Sequence, residues 1–194
     1  MFKSKGLWIF LGIIIVLGIW VVGYYNGFVQ SKLQVEEKWS QVENQYQRRA
    51  DLIPNLISTV KGAADFEQST FIAVTEARTQ WLNAGNRTEQ IAAANSFDSA
   101  LSRLLVTVEN YPQLRATEGF IAFQSQLEGT ENRVSVERKR YNEEVKAYNT
   151  KVKVFPGFVF ARIFNFIEEP FFEAVKGAET TPEVKFNFSA PATE

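Results

Sequence analysis

The longest apolar stretch of the chain lies near its N-terminus. Residues 7–25 read LWIFLGIIIVLGIWVVGYY, nineteen positions without a charged side chain. As an α-helix this stretch measures about 28 Å, close to the hydrocarbon thickness of a bilayer. Aromatic residues near both ends are typical of the interfacial belts of membrane-spanning helices. The belt residues are Trp8, Trp20, Tyr24 and Tyr25. The pattern predicts one transmembrane helix over 7–29, after a short basic N-terminus at 1–6.

A cleaved secretory signal peptide is the competing interpretation, because Lys3 and Lys5 form a basic segment before the apolar run. Against it, the run is too long, and the bulky sequence YYNGF stands where a small-residue cleavage site should lie. We therefore expect an uncleaved anchor. Two lysines and the amino terminus favour an N-terminus on the inner side of the membrane, although Lys32 and Lys38 lie within the counted range on the far side.

The next part of the chain shows helical periodicity. Between Lys32 and Val60, apolar residues three and four positions apart form one continuous face. They are Val35, Trp39, Val42, Tyr46, Ile53, Leu56 and Val60. Only Gly27 separates this face from the membrane span, so the two segments fit one long rod. Pro54 lacks a backbone N–H and is expected to kink or interrupt that rod.

Three further helices are predicted. One amphipathic stretch ends at NAGN (83–86), and the next begins with Thr88 as its expected N-cap and breaks at Tyr111 and Pro112. From Thr117 to the end of the last helix, large apolar residues recur at every seventh position. The recurring residues are Phe120, Leu127, Val134, Tyr141, Tyr148 and Phe155. This seam predicts a long helix packed at a shallow angle on its neighbours, as in a coiled coil.

Together these elements predict an all-α fold, with the N-terminal transmembrane helix followed by an antiparallel four-helix bundle over 30–155. Helices of roughly 30, 18, 24 and 38 residues in up-down-up-down order would return the end of the last helix toward the membrane. If residues 62–65 are not a turn, three long helices result and residue 155 ends far from the bilayer. The lengths do not separate these alternatives, and we favour four helices. A tail at 178–194 contains VKFNF, the one stretch with strand alternation.

Between the bundle and the tail lies a Phe-rich amphipathic segment, 156–177. The surrounding sequence KVFPGFVFARIFNFIEEPFF, from 153 to 172, contains seven phenylalanines. Prolines and charges interrupt it, so it cannot span a bilayer. The segment could fold as a short helix that caps the bundle, or its apolar surface could face lipid headgroups or a neighbouring subunit. The candidate interface residues are Phe155, Phe158, Phe160, Phe164, Phe171 and Phe172.

Composition removes whole classes of chemistry. The chain has 21 basic and 22 acidic residues, so no net field directs it toward nucleic acid. It contains no cysteine and no histidine, which removes disulfides, thiolate sites and the commonest general base and zinc ligand. Adjacent glutamates on a helix diverge by about 100°, so none forms a ready acid–base pair. We expect no enzyme activity, no metal, no cofactor and no nucleic-acid partner.

Two polar groupings remain as candidates for binding. Arg48, Arg49, Asp51 and Asn55 form the densest polar group on the first helix. They could bind an anion or a partner carboxylate, or form a structural ion pair at the rim of the bundle. On the long helix, the pairs Tyr141-Asn142 and Tyr148-Asn149 are seven residues apart. Buried Tyr and Asn on such a seam are expected to hydrogen-bond across helices and fix their register.

Four ordered motifs connect the chain to a known family. RRADLIPNLISTVKG, VENYPQLRA, LEGTENRVSVERKRYNEEVKAYN and VFPGF resemble the LemA family of bacterial membrane proteins, over essentially the whole chain. The resemblance implies a single N-terminal transmembrane helix in the bacterial inner membrane, followed by an antiparallel helical bundle. It implies no enzymatic activity that can be carried over. Some relatives look connected to membrane organisation or envelope stress.

The functional expectation is therefore a membrane-anchored scaffold without catalysis. Its partners would be the lipid bilayer, copies of itself in a homo-oligomer, and other membrane or envelope proteins. The alternative is a sensory or ligand-binding bundle that uses the polar cluster at Arg48, Arg49 and Asp51.

Overall fold

The computed structural model describes residues 2–60 and 68–173, with side chains described for 6–59 and 69–173. Six helices are present in these ranges, and the same ranges contain no strand. The helices are α1 (Phe2–Val60), α2 (Gln68–Asn83), α3 (Arg87–Val108), α4 (Pro112–Arg115), α5 (Glu118–Lys153) and α6 (Gly157–Ile163). The predicted all-α class is confirmed. The predicted turn at 62–65 and the VKFNF tail lie outside the described residues.

Helix α1 unites the apolar N-terminal stretch with the first helix of the bundle. Its 59 residues correspond to about 88 Å of continuous helix. Among the described helices it is the one that is long and apolar enough to cross a membrane. The large apolar side chains of its N-terminal part are exposed, whereas from Phe28 onward one face is buried. The predicted single rod is therefore present.

Pro54 does not interrupt α1, which continues to Val60. The expected interruption is wrong, and the reason lies in α2. Because Pro54 has no N–H, the Ala50 carbonyl four residues earlier loses its helical donor. The Nε–H of Arg78 donates to this carbonyl at 2.9 Å. A side chain from the neighbouring helix thus replaces the missing hydrogen bond.

Side-chain contacts between helices establish the up-down-up-down order. Helix α2 runs opposite to α1, because Arg78 lies beside Ala50 and Trp81 packs on Tyr46 with ring centroids 4.7 Å apart. Helix α3 runs parallel to α1, since Gln90 bonds Glu43 at 2.7 Å and Asp98 bonds Arg49 further along. The four-helix alternative is therefore the observed one.

Helix α5 packs along α1 in the antiparallel direction. At its start, a Cβ added to Gly119 would lie 2.8 Å from the Thr59 side chain near the end of α1. Beyond its other end, Gly157 lies beside the Phe28 ring, next to the apolar segment. Five of the six seam residues are buried. The sixth, Phe155, lies beyond the end of α5 and is 75% exposed, so the predicted helix was two residues too long.

The start of α3 differs slightly from the prediction, and its end agrees with the prediction. Helix α3 is capped by Asn86, whose side chain accepts a hydrogen bond from the Glu89 N–H at 2.9 Å, rather than by Thr88. It ends at Val108, just before the predicted break at Tyr111 and Pro112.

The chain after α5 forms a short helix and then an extended segment. Helix α6 covers Gly157–Ile163 and is a short helix, as the sequence allowed for this segment. Residues 166–173 have no regular secondary structure and lie against α5. We call residues 166–173 the strap. They carry the C-terminal half of the Phe-rich segment back along the bundle.

Candidate functional site

A group of aromatic rings joins the apolar part of α1 to the Phe-rich segment. The Tyr24 ring stacks on Phe160 with centroids 4.7 Å apart, and Trp20 meets Phe160 edge-on at 5.3 Å. Tyr25 meets Phe164 at 5.2 Å. We call this group the juxtamembrane aromatic cluster: Trp20, Tyr24, Tyr25, Phe28, Phe160, Phe164 and Phe166. Three of the four predicted belt residues therefore also pack on α6 or on the residues just after it, while Trp8 is exposed.

The six candidate interface phenylalanines divide into two sets. Phe160 and Phe172 are buried and Phe164 is half-buried, so these three belong to the internal packing of the protein. The other three are exposed. Phe171 lies on the strap beside α3, next to Ile91 and Asn95. Phe155 and Phe158, whose ring centroids are 6.3 Å apart, and the exposed aliphatic residues near them form what we call the proximal apolar surface: Val154, Phe155, Phe158, Ile163 and Ile167. This surface lies at the end of the bundle nearest the apolar segment of α1.

Two asparagines of α5 hold the strap by its backbone. Asn149 Nδ2 donates to the Glu169 carbonyl, and Asn149 Oδ1 accepts from the Glu169 N–H, both at 2.9 Å. Asn142 makes the same pair of bonds to Phe172, at 2.9 and 2.8 Å. Each side chain thus satisfies both backbone polar groups of one strap residue, as a neighbouring strand would. We call Asn142 and Asn149 the asparagine clasp.

The seven-residue spacing of the clasp along α5 matches a three-residue spacing along the extended strap. Seven residues of α-helix cover about 10.5 Å, and three residues of extended chain cover about 10 Å. The Tyr141 and Tyr148 hydroxyls repeat this step, donating to the carbonyls of Pro170 at 2.6 Å and Ile167 at 2.9 Å. The heptad repeat therefore sets the position of the strap. The expectation that these Tyr-Asn pairs bond across helices was wrong, because their partner is the strap backbone.

Burial raises the pKa values of Tyr141 and Tyr148, the two tyrosines next to the asparagine clasp. It raises the pKa of Tyr148 to about 12, and the nearby Glu169 carboxylate adds to the rise. Burial also raises the pKa of Tyr141, with Arg87 opposing the change. Both hydroxyls therefore remain protonated at neutral pH and donate their hydrogen bonds to the strap.

Glu169 connects the strap to two other helices. Its carboxylate lies 3.8 Å from the Lys32 amine on α1 and 3.5 Å from the Arg87 guanidinium at the start of α3. The Arg87 guanidinium also stands over the Trp39 ring, 5.0 Å from its centroid. The strap is thus fixed by charge as well as by the clasp.

The second polar site is a charge network inside the bundle, centred on Asp98. Asp98 accepts hydrogen bonds from Arg49, from Arg138 and from the Tyr46 hydroxyl, the last at 2.8 Å. Arg49 also bonds Glu131 at 2.6 Å. Arg49 is 1% exposed, so this network ties α1, α3 and α5 together in the interior.

The electrostatics of the network follow from burial. Burial raises the pKa of the Asp98 carboxyl to about 7, and the Arg49 guanidinium opposes the rise. Burial lowers the pKa of Arg138 to about 10, which still leaves it protonated at neutral pH. The Arg138 guanidinium also stands 4.2 Å from the centroid of the Phe172 ring, so the network touches the strap.

The predicted polar cluster on α1 is not one site. Arg49 points inward, whereas Arg48, Asp51 and Asn55 are exposed. Asp51 accepts from Gln47 at 2.9 Å rather than from an arginine. The sequence analysis identified neither Asp98 as the partner of Arg49 nor Arg138 as a further member of the network. The sequence feature that could have identified Asp98 is its position directly after Phe97, which is buried.

Neither site has the composition of a metal centre. Across 2–60 and 68–173, no three acidic side chains come close enough to hold a metal ion. The clasp pairs neutral amides with backbone groups, and the network pairs carboxylates with guanidinium groups.

These features define a class of protein: an α-helical bundle carried on a long apolar N-terminal helix, with an aromatic cluster where the two meet. A model of the LemA family matches residues 38–186, which is more than half of the chain. The chain belongs to the LemA family, and the resemblance seen in the sequence is confirmed.

Among the relatives are two magnetosome proteins, MamQ 2 and MamQ 1, of Paramagnetospirillum magneticum. Both are 26% identical over 189 residues, covering 82% of this chain and 70% of the relative. Protein LemA of Metamycoplasma hominis is 22% identical over 122 residues, covering 62% of this chain and 56% of the relative. None of these names denotes an enzymatic activity. Family membership and the apolar helix together indicate a membrane-associated helical protein.

Proposed function

We propose that this protein is a non-catalytic scaffold, anchored in the bacterial inner membrane by one pass of α1, that associates with copies of itself and organises other membrane proteins. The observation that carries the proposal is the proximal apolar surface. Its phenylalanine and isoleucine side chains are exposed beside the membrane anchor, where lateral contacts with other anchored proteins would form.

Several features support an association surface rather than a loosely packed end of the bundle. The asparagine clasp and Glu169 hold the strap in a defined position, and the aromatic cluster does the same for α6. Phe155, Phe158 and Ile163 therefore remain exposed although the segment around them is well fixed. Several large apolar side chains that stay exposed on a well-fixed segment usually mark an interaction site.

The ligand-binding alternative receives less support from the geometry. It relied on a receptor made by Arg48, Arg49 and Asp51. The Arg49 guanidinium is engaged with Asp98 and Glu131, and the other two side chains lie on the exposed surface of α1. An incoming anion would have to displace a buried internal pair, which is costly.

Self-association is tested by mass photometry of the full-length protein extracted gently from membranes. We expect oligomers for the natural sequence and a shift toward monomers for the double substitution Phe155→Ser, Phe158→Ser. Ile121→Ser is the matched control, because Ile121 is equally apolar and 56% exposed but lies at the far end of α5. It should leave the distribution unchanged. A natural sequence that is monomeric at all concentrations would refute the proposal.

A further inference from the structure

A groove of about 660 Å³ opens between α1 and the turn that follows α5. Its α1 side runs from Ile19 to Phe28, about 13 Å along the helix axis. Gly23 and Gly27 form its floor, and a Cβ added at either position would meet no atom within 4 Å. The opposite wall includes Phe155. The groove is therefore open and predominantly apolar.

The position of the groove determines what surrounds it. Its first residues, Ile19 and Trp20, belong to the apolar stretch that forms the predicted span. Its last α1 residues, Gly27 and Phe28, lie just beyond the tyrosines of the predicted belt. The groove thus extends from the hydrocarbon layer to the level of the lipid headgroups. Lipid can enter it directly from the bilayer.

One cation lines the headgroup end of the groove. Lys151 is exposed there and forms no ion pair with any described side chain. The neighbouring lysines have partners: Lys153 pairs with Glu168 at 2.7 Å, and Lys32 with Glu169 at 3.8 Å. An apolar channel lined at one end by an exposed lysine, which has no ion-pair partner among the described side chains, is complementary to an acyl chain attached to an anionic headgroup.

We propose that this groove binds a glycerophospholipid with a net negative headgroup. One acyl chain lies along Gly23 and Gly27, and the phosphate pairs with Lys151. The site is separate from the proximal apolar surface that carries self-association, except that Val154 and Phe155 contribute to both.

A second copy of α1 is the rival occupant, because Gly23 and Gly27 have the spacing of a helix-packing motif. The position of the groove favours the lipid, because the groove is open and predominantly apolar beside the predicted span, and about 660 Å³ is room enough for an acyl chain. An acyl chain is much thinner than a helix and can follow the groove beside the wall made by Phe155.

Quenching of Trp20 by brominated lipids tests the proposal in the full-length protein reconstituted into vesicles. Trp8→Phe removes the other exposed tryptophan, while Trp39 and Trp81 are buried. Brominated phosphatidylglycerol and brominated phosphatidylcholine are compared in competition, each against its unbrominated form. We expect phosphatidylglycerol to bind about fivefold more tightly, as one lysine at the membrane surface would give.

Variants assign the preference to the groove. Lys151→Gln should abolish the fivefold preference, whereas Lys139→Gln, an exposed lysine elsewhere on α5, should retain it. Gly27→Leu should fill the groove and lower quenching by both lipids, with helical content by circular dichroism as the check on folding. Equal binding of the two lipids, or a preference that survives Lys151→Gln, would overturn the proposal. If Gly27→Leu instead dissociates dimers and leaves quenching unchanged, a second copy occupies the groove and the lipid proposal is wrong.

Discussion

Gly157 shows how tightly single residues are constrained at the end of the bundle. A Cβ on this residue would overlap the Lys151 backbone carbonyl oxygen and would lie 3.5 Å from the Phe28 ring. Backbone cannot move aside as a flexible side chain can. Gly157→Ala is therefore expected to destabilise the protein by about 1–3 kcal/mol in chemical unfolding in detergent.

Gly129→Ala is the matched control for this substitution. Gly129 lies within α5, and a Cβ there would meet nothing within 4 Å. Replacing a helical glycine with alanine at an open position should stabilise the protein by about 0.5–1 kcal/mol. The two glycine substitutions should thus have opposite signs. A neutral or stabilising effect of Gly157→Ala would contradict the close packing of residue 157 against the Lys151 carbonyl.

At the residue scale, the sequence identified polar residues more reliably than it identified their partners. Arg49 was noticed as one of a dense polar group, because charged residues beside an apolar face are conspicuous. Its partner Asp98 is 49 positions away, and no local pattern connects the two. Only the packing of α3 against α1 brings them together. The same reason applies to Arg138, which is 40 positions from Asp98.

At the scale of elements, the proline in α1 gives a testable coupling between helices. Arg78→Met should cost about 1–3 kcal/mol, because the buried Ala50 carbonyl would lose its donor. In a Pro54→Ala background the residue 54 N–H can serve that carbonyl, so the same substitution should cost less. A double-mutant cycle by chemical unfolding should give a coupling of about 0.5–3 kcal/mol.

Arg103→Met serves as the control for this cycle, because Arg103 is exposed on α3. Its effect should stay within about 0.5 kcal/mol and should not depend on residue 54. A coupling of zero between Arg78 and Pro54 would show that the arginine does not replace the missing backbone bond.

The asparagine clasp makes a prediction for the strap. Asn149→Ala should destabilise the protein by about 1–3 kcal/mol, since it leaves both polar groups of Glu169 without their partner. Hydrogen exchange should show loss of protection at the Glu169 amide first. Asn132→Ala, an exposed asparagine on the same helix, should leave both stability and exchange nearly unchanged. Unchanged protection at Glu169 in Asn149→Ala would contradict the clasp.

Helices could be predicted from the sequence and the strap could not. Amphipathic periodicity and caps are local signals, and they located the four helices of the bundle to within a few residues. The strap has no periodicity of its own. Its position depends on the match between seven helical and three extended residues, which requires knowledge of both partners. The Tyr-Asn pairs were visible as a heptad repeat, but a repeat alone does not show what it binds.

At the scale of the whole molecule, the orientation in the membrane remains a prediction based on Lys3, Lys5 and the amino terminus. Single cysteines are informative because the natural chain has none. In bacteria treated with a membrane-impermeant maleimide, Asn44→Cys should be labelled in intact cells and Ser4→Cys only after permeabilisation. Val42→Cys is the control, because Val42 is fully buried and should resist labelling in both conditions. The reverse pattern would place the bundle on the inner side.

The overall architecture could be predicted because its determinants are long and redundant. A prediction based on nineteen uncharged residues and a repeated heptad stays correct even when one local expectation, such as the break at Pro54, is wrong. The function of the proximal apolar surface follows less directly from the sequence. Whether an exposed phenylalanine such as Phe155 meets lipid, a copy or another protein depends on surfaces outside this chain.

The continuity of α1 has a mechanical consequence. Val60 lies 35 residues beyond Tyr25, about 52 Å along the helix axis at 1.5 Å per residue. Membrane-spanning helices change their tilt when the thickness of the bilayer changes. If α1 moves as one body, a tilt of 10° displaces its far end by about 9 Å. The helix would then act as a lever, converting a small change in membrane thickness into a movement wide enough to alter which neighbours the distal end of the bundle can reach.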